Sequence, residues 1–477
     1  MGGVDFWIKI IQGHGAKMNK DKDEMDKETG DVNPKLIEDG IRLFQDLDDD
    51  DTLLDVLFQK FRALYFSMKE GEKERVFMAI IERIEVPKAD IEPYLADLLG
   101  CDPEDPRWHA LLSQIRRRFY SPRLKIFQKI SRSPGGLKFL LDFRGDLLTI
   151  QRYSRHDLSP LDADIVFLFE MWFQEGFLYL EEITLDSAYN QIVLIKESDM
   201  VHPMASIEEM GQRLGRDRRC FALYHRLLPS EPIVFIEVAL TKGLARTVSH
   251  VMAREGTVRG SEKADTAIFY SINNTQNGLA GLGLGKMLIG KAVDSLKKEN
   301  EKIKNFSTLS PIPGFWKNFF KPLLEGNDKN FAMKQGDVVS FFSKKAVGKI
   351  LDRPVEKTVD PLDFNPVLLS ILSDDAWTKD EGLKKVLQTP MSKIAYHYIA
   401  NEKNRRKKPL NPVAGFHLGN GATVSVRNIN FDANPSPRGI KESCGIMVNY
   451  IYSFHWLSQI RGSFRLFDKI EVRGLFR

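Results

Sequence analysis

Cysteine is scarce in this chain: Cys101, Cys220 and Cys444 are the only three in 477 residues. They are far apart and odd in number, which argues against a disulfide framework and fits a reducing compartment. The nine histidines are scattered, with no HxH or HxxxH pair, so no dedicated metal site is expected. Charge of one sign is also lacking. With 69 basic and 65 acidic residues the net charge is +4, too little to make nucleic acid the expected partner. No apolar run approaches the roughly 18 residues that span a bilayer, so no membrane role is expected. The opening residues, MGGVDFWIKIIQGHG, contain no Arg and soon turn acidic, which makes a poor mitochondrial presequence and a poor secretory signal. Phe6 stands where myristoylation wants Ser or Thr, and the final Leu-Phe-Arg is not a peroxisomal address. The chain itself therefore points to the cytoplasm.

What is present is a globular composition, 43% apolar and 28% charged. Residues 1–33 are polar and read as a flexible arm. From Pro34 to about residue 176 apolar residues recur at helical spacing, as in PKLIEDGIRLFQDL, with short Pro- or Gly-marked breaks. The acidic run Asp48–Asp51 is expected to cap the helix that follows it. Arg116–Arg118 reads as a solvated helix face. Near residue 177 the pattern shifts to short β-branched and aromatic runs: FLYLEEITL, YNQIVLIKE, RCFALYHRL, EPIVFIEVAL and TAIFYSI read as strands. NPVAGFHLGNGATVSVRNINF also reads as strand-like, with a tight GNG turn. A helical domain (34–176) thus precedes a mixed α/β domain (177–452), with a basic, aromatic tail at 453–477.

The densest signal runs from Thr266 to Phe315. An apolar strand feeds the turn Ala280-Gly281-Leu282-Gly283-Leu284-Gly285-Lys286, which opens a helix. Glycines let a backbone approach a ligand and aim its N–H groups at phosphate oxygens. The spacing is neither that of a dinucleotide fingerprint nor, without GK[ST], that of a P-loop. Ser310 follows in STLSPIPGF, where Pro311 and Pro313 stiffen the chain. His417 sits among apolar residues in NPVAGFHLGNGA.

Together these segments resemble the malonyl-CoA decarboxylase family. The matching stretches include GGLKFLLDFRGDLL (135–148), VHP (201–203), RRCFALYH (218–225), IVFIEVALT (233–241), the glycine turn, STLSPIPGF (307–315), LNPVAGFHLGNGA (410–422), RGI (438–440) and SCGIMVNY (443–450). The resemblance covers roughly residues 120 to 450. It implies a helical N-terminal domain and a catalytic domain of the GNAT acetyltransferase fold. The implied activity converts malonyl-CoA to acetyl-CoA and CO2 in fatty-acid metabolism, with neither metal nor organic cofactor. It matches the family's catalytic serine to Ser310, as proton acceptor, and its histidine to His417, as proton donor. The CoA-binding turn matches Ala280–Lys286, although Ala280 stands where a Gln is common. Tyr452 is a further candidate for orienting the substrate. The resemblance also implies a homo-oligomer, a dimer or tetramer, and a mitochondrial or peroxisomal address in some members. The tail from Ser453 departs from the family pattern. An acyl-CoA N-acyltransferase of the same fold, or an inactive acyl-CoA-binding protein, remains open as an alternative.

Overall fold

The computed structural model describes residues 33–453, apart from 50–52, 119, 200, 205, 253–262, 355–359 and 405–406. The expected arm at 1–33 and tail at 453–477 therefore lie almost wholly outside the described residues, as do Asp50 and Asp51.

Eight helices come first: α1 (Pro34–Asp49), α2 (Leu54–Ser67), α3 (Glu70–Arg83), α4 (Lys88–Leu99), α5 (Trp108–Arg118), α6 (Pro122–Arg132), α7 (Gly136–Ile150) and α8 (Ser159–Trp172). Their apolar stripes converge on buried aromatic rings. Tyr65 meets Phe139 edge-on at 5.3 Å, and Phe77 meets Phe143 at 4.9 Å. Such edge-to-face pairs add to the burial of the rings themselves. Of the acidic run, Asp48 and Asp49 end α1 and do not head α2, whose cap position is Leu53. Arg116–Arg118 are exposed, as expected, in the last turn of α5.

Strands begin at Leu178. One sheet has the order β1 (Leu178–Ile183), β2 (Arg218–His225), β3 (Leu228–Thr241), β4 (Thr266–Asn274), β5 (Asn305–Thr308), β9 (Ile451–Tyr452). The first four strands are antiparallel; β4 and β5 run parallel, and β5 pairs antiparallel with β9. The parallel pair requires a crossover, supplied by the glycine turn and the helix Leu284–Glu299 that follows it. A smaller sheet joins β6 (Ser310–Pro311), β8 (Met447–Val448) and β7 (Ile429–Asn430).

Two predicted strands are helices. YNQIVLIKE forms α9 (Tyr189–Ser198), whose Ile192 and Ile195 face a core with Met210 of α10 (Ile207–Arg213) and with Tyr224 and Phe235 of the sheet. Local β-propensity yields here to tertiary burial at i, i+3 spacing. The crossover helix α11 (Leu284–Glu299) buries Leu288, Ile289, Ala292, Val293 and Leu296 on the opposite side of the sheet. Further on, α12 (Glu381–Ala400) follows the expected helical pattern. The segment around His417 is the second correction: it forms α13 (Pro412–Gly419), begun by Asn411 as cap and Pro412 at the first position. The helix α14 (Pro437–Ser443) precedes β8. One buried cluster runs from Ile37 of α1 to Tyr452 of β9, so the helical region and the sheet share a continuous core.

Glycine contacts mark where that packing is tightest. A Cβ on Gly278, just before the glycine turn, would lie 2.0 Å from the Leu141 carbonyl oxygen of α7. Gly348 has open space around it in a helical segment. Gly278→Ala should cost at least about 2 kcal/mol through backbone displacement, while Gly348→Ala should add roughly 0.5–1 kcal/mol. Urea denaturation of the two variants checks both signs.

Candidate active site

Ser310 and His417, 107 positions apart, meet inside the protein: Ser310 Oγ lies 3.1 Å from His417 Nε2. Both are buried, at 6% and 5% exposure. The other imidazole nitrogen, Nδ1, is 2.9 Å from the Tyr452 hydroxyl. Ser310 Oγ donates to Thr308 Oγ1 at 2.9 Å, and Thr308 Oγ1 also accepts the Tyr450 N–H at 3.1 Å. The Tyr450 ring stacks on the imidazole with centroids 4.6 Å apart. Its own hydroxyl is buried with no partner among the described residues.

Three local devices hold this arrangement. The STLSPIPGF segment leaves β5 at Thr308 and re-forms as β6 at Ser310, whose partner across the small sheet is Val448. Asn449, next along, donates to the Thr308 and Ala245 carbonyls at 2.5 and 3.0 Å. Asn411 then ties the histidine's helix to the serine's corner. Its Oδ1 accepts the Ala414 N–H at 2.8 Å as helix cap, while its Nδ2 donates to the Pro313 carbonyl at 3.0 Å. The Tyr398 hydroxyl donates to the same carbonyl at 3.1 Å.

Burial governs the site's ionisation. With no charged neighbour to compensate, it pushes the His417 pKa down to about 3. It also pushes the Tyr452 and Tyr450 phenols up, with Tyr398 and Tyr452 adding to the effect on Tyr450. At neutral pH the imidazole is uncharged and the phenols keep their protons.

The glycine turn adjoins this site. Gly281 and Gly283 take positive φ of 85° and 70°, conformations that favour glycine, and Gly283 caps α11. Both are exposed, and Ala280, Leu282 and Lys286 are half-buried around them. Leu284 and Gly285 are buried at the helix start. Gly285 has a packing role, since a Cβ there would lie 2.4 Å from the Phe416 ring, and Phe416 precedes His417. The start of α11 is thus pressed directly against the histidine's helix.

A cleft of about 380 Å³ opens beside Pro311 and Met447, lined also by His202, Arg213, Arg218 and Arg438. Successive strand residues face opposite ways, so this cleft lies across the small sheet from Ser310. The VHP and RGI motifs contribute His202 and Arg438 to it. Its arginines are ion-paired, Arg213 with Asp199, Glu209 and Glu237, Arg218 with Asp217, and Arg438 with Glu442. Among the described residues no cluster of three or more His, Cys, Asp or Glu could hold a metal, and no helix is long and apolar enough to cross a membrane.

Comparison with known proteins decides the family. The family models for the malonyl-CoA decarboxylase C-terminal and N-terminal domains match residues 176–466 and 91–173. This chain belongs to the malonyl-CoA decarboxylase family. Among curated relatives, a mitochondrial malonyl-CoA decarboxylase from Anser anser anser is 32% identical over 82% of this chain and 77% of its own length. Its counterpart from Rattus norvegicus is 34% identical over 69% of this chain and 65% of its own length. Among solved structures, malonyl-CoA decarboxylase from Rhodopseudomonas palustris superposes with a TM-score of 0.70 at 27% identity, covering 88% of this chain and 94% of that one. The Agrobacterium vitis protein gives 0.71 at 26%, covering 89% and 96%. These malonyl-CoA decarboxylase structures bear out the expected order of a helical region followed by a mixed α/β domain.

Sequence reasoning found Ser310, His417 and Tyr452 but missed Thr308, Tyr450 and Asn411. Thr308 carried a signal, since it lies two positions before Ser310 on an extended segment. Asn411-Pro412 carried another, as a cap followed by a first-turn proline.

Two measurements test these assignments. Asn411→Ala loses both cap and bridge and should cost about 2 kcal/mol; Asn411→Asp, which keeps the cap acceptor but not the donor, should recover roughly half in urea denaturation. Between about pH 3 and 6.5 the unfolded chain binds a proton at His417 that the folded chain does not, so stability rises with pH across that window. His417→Gln should flatten the dependence by up to one proton, at most about 1.4 kcal/mol per pH unit. The buried His202, whose pKa burial pushes to about 4, leaves a similar background slope in both proteins.

Proposed function

We propose that this chain decarboxylates malonyl-CoA to acetyl-CoA and CO2, with Ser310 and His417 as its catalytic residues. The observation that carries this reading is the buried Ser310–His417 contact beside a glycine-opened helix, in a chain of this family. In the reaction the bond between the α-carbon and the carboxylate breaks. Its electron pair passes into an enolate on the thioester, and one proton from outside ends on the α-carbon. A buried site lowers the barrier by stabilising the enolate oxygen and excluding water.

Hydrogen-bond polarity supports these roles. A protonated Tyr452 donates to Nδ1 of a neutral His417, which places the remaining imidazole proton on Nε2, towards Ser310. Ser310 Oγ accepts that hydrogen bond and donates its own to Thr308 Oγ1. That Nε2–H is the donor that an arriving thioester oxygen takes over from Ser310. An arriving malonyl carboxylate raises the imidazole's proton affinity, because an anion favours the charged form. The proton it recruits is then available to the α-carbon after CO2 leaves. Ser310, as acceptor and as partner of the carboxylate, orients that transfer, and Tyr452 fixes the ring. Ala280–Lys286 is the turn for the CoA pyrophosphate, with Gly281 and Gly283 offering backbone N–H groups, Leu282 bonded back to the Leu279 carbonyl, and Leu284, Gly285 and Lys286 opening the helix. No cofactor enters the scheme.

We divide the chain accordingly into the helical domain, 34–176, and the catalytic domain, 177–452. A homo-oligomeric state, dimer or tetramer, follows from the resemblance alone. The mitochondrial designation of the goose and rat relatives favours that compartment.

Incubation with malonyl-CoA, following acetyl-CoA and CO2, tests the proposal. His417→Gln should lower kcat by about 10²–10⁴-fold and Ser310→Ala by about 10²–10³-fold. An intact protein that binds CoA tightly without releasing CO2, or that acylates added amines faster than it decarboxylates, would contradict it.

A further inference from the structure

The loop leading into the glycine turn is gripped from the helical region. Helix α7 presents Arg144, which is buried. Its Nε donates to Asp162 of α8 at 2.7 Å. Its Nη1 donates to two backbone carbonyls of the loop, those of Gly278 and, at 3.0 Å, Ala280. Lys138, on the same helix, reaches Gln276 Oε1 at 3.0 Å. Gly145 lies 3.4 Å, measured from an added Cβ, from the Asn277 side chain, and Gly278 has no room for a Cβ against Leu141. A sequestered guanidinium is costly, and here it is spent on two carbonyls of one short loop.

Peptide geometry gives that contact a direction. In a trans peptide the C=O and the following N–H point opposite ways. Drawing the Ala280 carbonyl towards Arg144 therefore turns the Gly281 N–H away from the helical region. On that side Gly281 is exposed, with positive φ and nothing within 4 Å of an added Cβ. The same contact pulls two carbonyl oxygens, which repel anions, back from the mouth of the turn.

We infer that Arg144, held by Asp162, is a positioning residue for the CoA pyrophosphate. It acts through the backbone of Gly278–Gly281 and does not touch the ligand. This rests on the reading of Ala280–Lys286 as the CoA turn. The helical region is then part of the binding site, and CoA affinity is coupled to the docking of α7 on the loop. By linkage, bound CoA tightens that docking in turn.

The test uses Arg144→Lys and Asp162→Asn in the full chain. Arg144→Lys keeps the charge beside Asp162 but has one nitrogen, which cannot stand at both the Nε position facing Asp162 and the Nη1 position facing the carbonyls. The probes are malonyl-CoA, and malonyl-pantetheine, which carries the thioester without the pyrophosphate; CoA affinity is read by calorimetry. The expected result is a roughly tenfold fall in the ratio of kcat/KM for malonyl-CoA to that for malonyl-pantetheine, arising in KM, and a matching loss of CoA affinity. Equal losses on both substrates, or unchanged CoA affinity, would overturn the inference. Wild-type protein that binds CoA but leaves malonyl-CoA intact would sink the decarboxylase reading, and the calorimetric comparison would still decide the role of Arg144.

Discussion

An imidazole taken out of water is useful only if its neighbours fix both its proton and its plane. The rest of the site depends on that constraint. Among the described residues His417 has no charged partner to offset its burial, so it stays neutral and its orientation is set by hydrogen bonds and packing. Tyr452 holds one nitrogen, Ser310 faces the other, and the Tyr450 ring lies flat against it. Low polarity around such a chain strengthens each hydrogen bond and penalises any that is lost. A neutral donor of this kind can stabilise an enolate oxygen without first surrendering a charge to solvent.

The fold can be understood as the apparatus that brings the members of this chain together. Thr308 and Ser310 lie where β5 leaves the large sheet and β6 enters the small one; Tyr450 precedes the return strand β9 and Tyr452 lies in it. The histidine arrives on a separate helix, α13, clamped to the serine's corner by Asn411 and seated on Gly285 through Phe416. Because Gly285 also lies in the first turn of the helix that opens from the glycine turn, that turn and the histidine's helix share a contact. The helical region closes the set from behind, through Arg144 on the carbonyls of Gly278 and Ala280.

Much of this was legible in the sequence, for physical reasons. Glycines flanked by an apolar strand and an amphipathic helix have few other uses, and prolines around Ser310 announce a fixed corner. The change from helical to strand periodicity near residue 177 corresponds to the end of α8 and the start of β1. Two segments misled. YNQIVLIKE is β-branched yet helical, because Ile192 and Ile195 find a core at helical spacing. VAGFHLG is apolar and precedes a GNG turn, which imitates a hairpin, while its Asn-Pro helix start was the better guide. Contacts such as Arg144 to Ala280, 136 residues apart and made to backbone, leave no pattern that spacing could reveal.

The most direct test of the account is the ionisation and tautomer of His417 itself. With ¹⁵N-labelled histidine, the His417 resonances can be identified by their loss in His417→Gln and followed from pH 5 to 8. The account predicts a neutral ring throughout, protonated on Nε2 and not on Nδ1, with the preference lost in Tyr452→Phe. An imidazolium that titrates near its ordinary value of about 6.5, or a ring protonated on Nδ1, would contradict it.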